Sequence, residues 1–402
     1  MEASLFNLRH LKAVIAVAES GTISAAARSV NLTQPAITQA IAKLERQIGM
    51  PLFERTPGAM QPTEAATILI PRARTALDLV ASPRVTGPQM RAFIAVAAEG
   101  SYAAAAAATG MREPSLHRAV ADLSIGLGQR LVERRGRGIA LTPRGAAIAR
   151  RLRLAQSELR AAVVELRALQ GREVGRVAVG AMPLSRARLL PSAIAEFRRR
   201  RPGVQVAVVE GSYAELAAPL RDGEIDMMVG AMRDPEAVED LDQQPLFDDH
   251  PVVLGRVDHP LTEGGIVDIQ ALAGFPWAIS GPGTPLRQQW RRMFGDAGVA
   301  EPLVPVECGS VMTIRQLLME SDLLTILSRD QVAAELSNRW LTVICDTPPD
   351  FVRHIGLITR RGWRPTATQQ EFMDLLRKIA SEKGRGRSSE AALGPVRAQR
   401  AQ

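Results

Sequence analysis

One stretch of this chain is written twice. At a constant offset of 79, residues 15–66 lie on residues 94–145 without a gap, and roughly a third of the aligned positions are identical. Ile15 to Ala18 return as Ile94 to Ala97, Gly21 as Gly100, Ala25 to Ala27 as Ala104 to Ala106, and Pro35 as Pro114. Leu44, Gly49, Leu52 and Thr63 return as Leu123, Gly128, Leu131 and Thr142. Alanine inflates the identity, but the unbroken register does not depend on it. The first half of the chain must therefore fold as two copies of one supersecondary unit.

Each copy reads as helix, turn, helix, turn, helix and a short extended hairpin. In the first, Leu11, Val14, Ile15 and Ala18 mark one helix face, and Gly21 stands where a C-terminal glycine ends a helix. Ala25 to Ala27 let a second helix pack closely on its neighbours, and a turn follows at Asn31 and Leu32. Thr33 is a natural N-cap for the third helix, with Pro35 tolerated in its first turn. Ile37, Ile41 and Leu44 share a face by i, i+4, i+7 spacing, which leaves Gln34, Thr38, Gln39 and Lys43 for solvent or a groove. This is a helix-turn-helix with a candidate recognition helix.

The segment "AVAESGTISAAARSVNLTQPAITQAIAKLERQIGMPLFER" resembles the DNA-binding signature of LysR-type transcriptional regulators, through S-G-T/S, A-A-A, T/S-Q-P-A, L-E and L-F-E-R in order. The resemblance implies that the T-Q-P-A-x-T/S stretch enters the major groove, with base or phosphate contacts from Thr33, Gln34, Pro35, Thr38 and Gln39. Glutamine can pair bidentately with adenine, and proline can lie against a thymine methyl. Lys43 and, on the hairpin, Arg55 add positive charge. For any one of these residues, a solvated helix face is the plainer alternative.

The second copy departs at informative places. Glu113 replaces Gln34, Asp122 replaces Lys43 and Ser124 replaces Glu45. A carboxylate aimed at a groove is repelled by phosphate and helps only by accepting from a cytosine amine. This recognition helix is thus expected to read DNA less well, with His117 and Arg118 still able to touch it. Its hairpin shows the opposite trend: "ERRGRGIALTPRG" carries Arg134, Arg135 and Arg137 around turn glycines, where "ERTPGAMQPTEAA" has Arg55 alone. Arginines on a hairpin tip suit the minor groove or the phosphates.

After the hairpins the copies part. Thr142 and Pro143 open a long helix in which Ile148, Leu152, Ala155, Leu159, Ala162, Leu166 and Leu169 alternate spacings of four and three. That seam suggests a dimerising coiled coil over 143–171, the linker helix of the resembled family; a helix packed on its own domain is the alternative. In the first copy the matching helix, from Thr63, meets Pro71 and ends before "ASPRVTGP". That segment reads as a short connector rather than a dimer helix.

From Val174 strands alternate with helices: "RVAVGAM", "SRARLLPSAIAEFRRRRPG", "VQVAVVEG", "SYAELAAPLRDGEIDMMVGAM". Such alternation predicts a mainly parallel sheet with helices on both faces, so the fold class is α/β. Ser/Thr residues recur at strand-to-helix junctions: Ser185 after "GAMPL", Ser212 in a capping box with Glu215, Thr284 before Pro285, Ser310 before "VMTIRQLL". In open α/β sheets ligands sit outside the carboxyl ends of strands, where helix N-termini offer N–H groups. We take Pro183, Ser185, Ser212, Gly230, Gly283, Thr284 and Ser310 as candidate ligand-binding residues, each open to the reading of a mere cap.

"LRDGEIDMMVGAM", "PLFDDHPVVLGRVDHPL" and "LLMESDLLTILS" resemble the effector-binding domain of the same family, a two-lobed fold like periplasmic solute-binding proteins. The likeness is greatest to the subgroup with regulators of galactose-binding-protein and aromatic-acid catabolic genes. It implies winged helix-turn-helix domains over 8–82 and 87–142, and an effector domain over 174–380. In that domain, one lobe spans 174–247 and 346–380 and the other 248–345. The small, basic remainder, 384–402, is expected to be disordered.

Composition bounds the function. Lys plus Arg exceed Asp plus Glu by 50 to 42, a lean toward a polyanionic partner. No apolar run reaches the length of a membrane span and no signal peptide is read, so the expectation is a cytoplasmic protein without membrane contact. Cys308 and Cys345 read as inert thiols, and the five histidines show no metal-ligand spacing. No catalytic signature or cofactor loop is found. The expectations are promoter DNA, a small-molecule effector (a sugar, small carboxylate or aromatic acid) and a homodimer or homotetramer through 143–171. The alternative is a solute-binding or enzymatic α/β protein whose second helix-turn-helix is a protein-interaction module.

Overall fold

A computed structural model describes residues 6–392 apart from 137, 173 and 264, with backbone alone over 383–392. The chain forms two compact units, Met1–Gly175 with Arg221–Glu224, and Arg176–Leu220 with Ile225–Gln402.

In the first unit, α1 (Leu8–Ser20), α2 (Ile23–Ser29), α3 (Gln34–Ile48), β1 (Phe53–Thr56), β2 (Ala59–Pro62) and α4 (Glu64–Val80) follow in order. Then come α5 (Gly87–Glu99), α6 (Tyr102–Thr109), α7 (Glu113–Leu127), β3 (Val132–Arg135), β4 (Gly138–Leu141) and α8 (Pro143–Leu169). Every element of the second set begins 79 residues after its counterpart, as with 113 against 34 and 143 against 64. The repeat therefore fixes element starts as well as residues.

Local chemistry explains the shared boundaries. Gly21 and Gly100 end α1 and α5 in left-handed conformations, φ 70° and 66°, where a side chain would be strained. Thr22 and Ser101 then cap α2 and α6. Each hairpin is anchored twice at equivalent atoms. Met60 N donates to Gly21 O at 2.7 Å and Ile139 N to Gly100 O at 3.0 Å. Thr63 Oγ1 donates to Pro51 O and Thr142 Oγ1 to Arg130 O, both at 2.8 Å.

One position is tighter in the second copy. A Cβ built on Gly145 would lie 1.9 Å from Leu131 O, a backbone atom that cannot swing away. Gly145→Ala is thus expected to destabilise the first unit by about 1–3 kcal/mol or more, read by chemical denaturation. An unchanged midpoint would show that the hairpin yields freely.

The two copies share one apolar core running from Phe6 to Leu166. Its centre is the pairing of α4 with α8: Arg72 reaches Glu158 and Glu165, while Arg151 Nη2 donates to Asp78 O. Rising numbers on α4 meet falling numbers on α8, so the helices run antiparallel.

This pairing bears on two expectations. The helix from Thr63 runs through Pro71 and ends at Val80, before "ASPRVTGP", which holds the short connector to α5. Proline removes one N–H, and the buried face of Ala65, Ala66, Leu69, Ala73, Ala76 and Val80 outweighs that loss. The seam of α8 is covered within this chain at Leu152, Ala155, Leu159, Ala162 and Leu166, while Ile148 is half-buried and Leu169 exposed. Heptad spacing says that a face is covered, not which chain covers it. The face expected to form a homodimer or homotetramer through 143–171 is thus largely taken up by α4 of the same chain.

The second unit opens with β5 (Gly175–Ala181), α9 (Leu189–Arg200), β6 (Val204–Glu210), α10 (Tyr213–Arg221), β7 (Met227–Ala231) and β8 (Leu241–Asp249). There follow β9 (Val252–Arg256), α11 (Ile269–Ala273), β10 (Ala278–Ile279), α12 (Pro285–Asp296), β11 (Val306–Glu307), α13 (Val311–Met319), β12 (Thr325–Leu327), α14 (Ala333–Ser337) and β13 (Leu341–Asp346). The chain closes with β14 (Arg353–Arg360) and α15 (Ala367–Ala392). One sheet has the order β6-β5-β7-β14-β8; another is β12-β9-β13, with a short β10-β11 pair beside it.

Strand alternation sorts the cores. Val177, Val179 and Ala181 of β5 face the cluster with α9 and α15, while Ala178 faces α10. On β9, Val253 joins the cluster of Trp277, Trp290 and Phe294, while Val252 and Leu254 face α13. Helices thus lie on both faces, and the expectation of a mainly parallel sheet holds for β5, β7 and β8, which run the same way, but not for β14 or for the sheet around β9. β5 and β7 are parallel, whereas β14 is antiparallel to β7 and β8, and β9 to β12 and β13. The chain leaves the first sheet along β8 and returns along β14, which reverses direction. The crossings are residues 250–251 and 347–352. The backbone also continues α15 to Ala392, against the expected disorder from 384, since extending a formed helix costs little; 393–402 lie outside the described residues.

Candidate functional site

Two sites are built by these elements. The first is the surface of α3. Thr33 caps the helix, its Oγ1 accepting from Ala36 N. Ile37, Ala40, Ile41, Leu44 and Ile48 turn into the core. Gln34, Pro35, Thr38, Gln39 and Lys43 are exposed on the remaining face, and Arg55 is exposed on β1. Every first-copy residue expected to touch DNA is therefore at the surface on one helix and its hairpin.

In the second copy, α7 buries Leu116, Val120 and Leu123 in the same way. Its N-cap is Arg112, which supplies no side-chain acceptor, so the charge and the cap have been exchanged. His117 is held by stacking on Tyr102, ring centroids 3.6 Å apart, and lies 3.7 Å from Glu113. Arg118 is 87% exposed and only 3.9 Å at best from Asp122, a pair too loose to hold it. Arg134 and Arg135 are exposed on β3; Arg137 lies outside the described residues.

The second site is a cavity of about 600 Å³ within the second unit. Of the residues taken from the sequence, Pro183, Ser212, Gly283, Thr284 and Ser310 line it. Two do not. Ser185 is wholly buried and donates from Oγ to Met182 O, and the N-cap of α9 is Arg188. Gly230 faces Met182, whose Cβ is 2.5 Å from where a side chain would begin, and the neighbouring Ala231 takes its place in the lining. A strand packed that closely leaves no opening for a ligand.

The helix starts in the wall are not equivalent. At α10 the Glu215 carboxylate already accepts from Ser212 N and Oγ, at 2.7 and 2.8 Å, and those bonds hold its pKa below the usual value. An anion would be repelled there. At α12 and α13 only the hydroxyls of Thr284 and Ser310 cap the helix, accepting from Arg287 N and Thr313 N. Ser280 Oγ lies 2.7 Å from Thr284 Oγ1, so the α12 cap is itself held in place.

Residues that sequence reading missed carry the polarity. Arg233 lines the cavity with its guanidinium 4.7 Å from the Tyr213 ring centre. Burial pulls its pKa below the ordinary value, and among the described residues its Nε has no acceptor. Tyr213 Oη and the fully buried Thr325 Oγ1, both in the lining, also have no partner there. Arg186 and Arg353 are already engaged by Glu210 and Asp249. Met182, Leu184, Ile314, Ile326, Leu327 and Ile355 supply an apolar floor.

Known proteins match both parts of the chain. The family described as "Bacterial regulatory helix-turn-helix protein, lysR family" matches twice, over 8–67 and 88–146, and "LysR substrate binding domain" matches 170–381. The regulator GalR of Pseudomonas putida is 32% identical over 95% of this chain and 99% of its own length. A probable hydrogen peroxide-inducible genes activator of Mycobacterium avium is 30% identical over 76% of this chain and 96% of its own. A full-length OxyR variant from Pseudomonas aeruginosa shares the fold, with 24% identity, a TM-score of 0.56, and coverage of 73% of this chain and 93% of that one. Regulators of this family bind promoter DNA and small-molecule effectors and form oligomers. The chain belongs to the LysR family, in the subgroup with GalR and PcaQ, as a DNA-binding transcriptional regulator with an effector-binding domain and not an enzyme.

Proposed function

We propose that this regulator reads promoter DNA in the cytoplasm through α3 and responds to a small carboxylic acid held by Arg233. The DNA reading rests on one observation: α3 buries Ile37, Ile41 and Leu44 while presenting Gln34, Thr38 and Gln39 together. Gln34 offers adenine a bidentate pair, Pro35 packs on a thymine methyl, and Lys43 and Arg55 take phosphates. In a gel shift with the region upstream of its own gene, Gln34→Ala and Thr38→Ala should each cost about 1–3 kcal/mol of binding. Unchanged discrimination between that region and unrelated DNA would remove them from the reading. Wild-type affinity should also fall steeply with salt, as phosphate neutralisation requires.

The acid is favoured over a sugar by charge. A half-buried guanidinium whose Nε has no acceptor among the described residues is stabilised by a carboxylate more than by a hydroxyl. The apolar floor fits a flat or short hydrocarbon body, and Tyr213 Oη and Thr325 Oγ1 offer it one or two hydrogen bonds. Pro183, Ser212, Gly283, Thr284 and Ser310 complete the wall. Such a ligand acts on transcription only through different affinity for two arrangements of the protein. The crossings at 250–251 and 347–352 are the natural place for that change, because Arg353 both lines the cavity and pairs with Asp249 between the crossing strands.

A further inference from the structure

The two N-terminal copies meet through contacts that run both ways between them. Arg72 and Arg151 occupy equivalent positions of the repeat, and each crosses to the other helix. Arg72 reaches Glu158, and Arg151 reaches Asp78, the counterpart of Ser157 next to Glu158. The segments that follow the long helices are exchanged as well. Gln170, after α8, donates from Nε2 to Ile48 O at the end of α3. Arg84, after α4, lies against Gly126 near the end of α7, its Cβ 3.6 Å from where a Gly126 side chain would begin. Reciprocal contacts of this kind are those of a two-fold pair, here inside one chain.

We propose that one chain is a complete two-half-site reader and that its operator is asymmetric, with α3 on one half-site and α7 on the other. The proposal rests on the DNA-binding reading above. A two-fold pair of recognition helices matches two half-sites about one helical turn apart. In most proteins this pairing needs a second subunit; here the peptide between α4 and α8 joins the two readers permanently. Because the halves are encoded separately, they need not read the same bases, and they do not.

The surface of the second copy fits DNA of a different composition. Arg118 stands where α3 has Gln39, loosely held and free to pair with guanine O6 and N7. Glu113 stands where α3 has Gln34 and can accept from cytosine N4, with His117 fixed beside it. Around them Arg112, Arg130, Arg134, Arg135 and Arg144 are exposed against the carboxylates Glu113, Asp122 and Glu133, so positive charge prevails. The α7 half-site is G·C-reading, and the α3 half-site contains the adenine contacted by Gln34.

The test uses the full chain and the duplex it protects upstream of its own gene. Footprinting combined with native mass spectrometry should give two protected half-sites for each chain bound. One half-site per chain would overturn the proposal. Arg118→Ala combined with Arg134→Ala and Arg135→Ala, all at exposed positions, should erase protection of one half and weaken binding about tenfold or more. Gln34→Ala should erase the other half. A duplex carrying the α3 half-site twice, in inverted orientation, should bind at least several-fold more weakly than the natural one; equal or tighter binding would overturn the asymmetry. If the arginine variant binds and protects as before while Gln34→Ala still weakens binding, this inference falls and the DNA-binding reading stands. If both variants bind as before, both fall.

Discussion

Replacing Arg72 by alanine should cost the first unit about 3 kcal/mol, the lower end of what removing one partner of a buried ion pair costs. Arg72 is 1% exposed, and its partners Glu158 and Glu165 are 14% and 24% exposed. Burial works against the guanidinium charge, yet Glu165 and Glu158 more than compensate and raise its pKa. Without Arg72, two carboxylates face each other across a packed helix pair with partial access to water, which moderates the loss. Arg74→Ala supplies the control: Arg74 and Glu19 are 53% and 55% exposed, and such pairs contribute about 0–1 kcal/mol. Denaturation monitored on the full chain should separate the two variants clearly. Replacing Arg72, Glu158 and Glu165 together by apolar residues of similar volume should restore most of the stability, because no charge is then left buried alone. An Arg72→Ala variant as stable as Arg74→Ala would mean that apolar packing alone joins α4 to α8.

That joint shows where sequence reading stopped short. Identity between the copies is a local property and was legible in full, down to the start of each element. The exposed face of α3 followed from helical spacing, and Thr33, Gln34, Thr38 and Gln39 are where that spacing put them. The partner of α8 was not legible, since Leu152, Ala155, Leu159 and Ala162 would be spaced alike against a second chain or against α4. Pro71 leaves α4 intact, because the packing of Ala65, Leu69, Ala73 and Ala76 overrides its low helical propensity.

The cleft divides similarly. Thr284 and Ser310 were found because an N-cap is a short-range signal carried by the residues around it. Ser185 has the same local appearance but is wholly buried and donates to Met182 O, which only tertiary structure reveals. Arg233 did leave a signal: a cation directly after the strand "MMVGAM", at the carboxyl end where ligands of α/β sheets bind. Thr325 left another, as the one hydroxyl within "LLTIL". Both were polar residues placed where strand chemistry alone would put apolar ones.

Arg233→Ala should abolish the response to the acid at concentrations that saturate the wild type. Losing a desolvated partner of a carboxylate costs about 2–5 kcal/mol, which is roughly 30- to 5000-fold in affinity. A thermal-shift series with small aromatic and aliphatic carboxylates is the measurement. A ligand at 100 times its Kd stabilises the folded state by about 2.7 kcal/mol, and the variant should show none of that gain at the same concentration. The free variant should be about as stable as the parent, because alanine removes a half-buried cation whose Nε lacks an acceptor among the described residues, at the loss of its stacking on Tyr213. Arg233→Lys should bind weakly, keeping charge but not the planar fork. Sugars should shift neither protein. A sugar that stabilises the wild type, with carboxylates inert, would overturn the assignment of Arg233, because nothing else in the lining favours an anion so strongly: Glu215 occupies the start of α10, and Arg186 and Arg353 are paired.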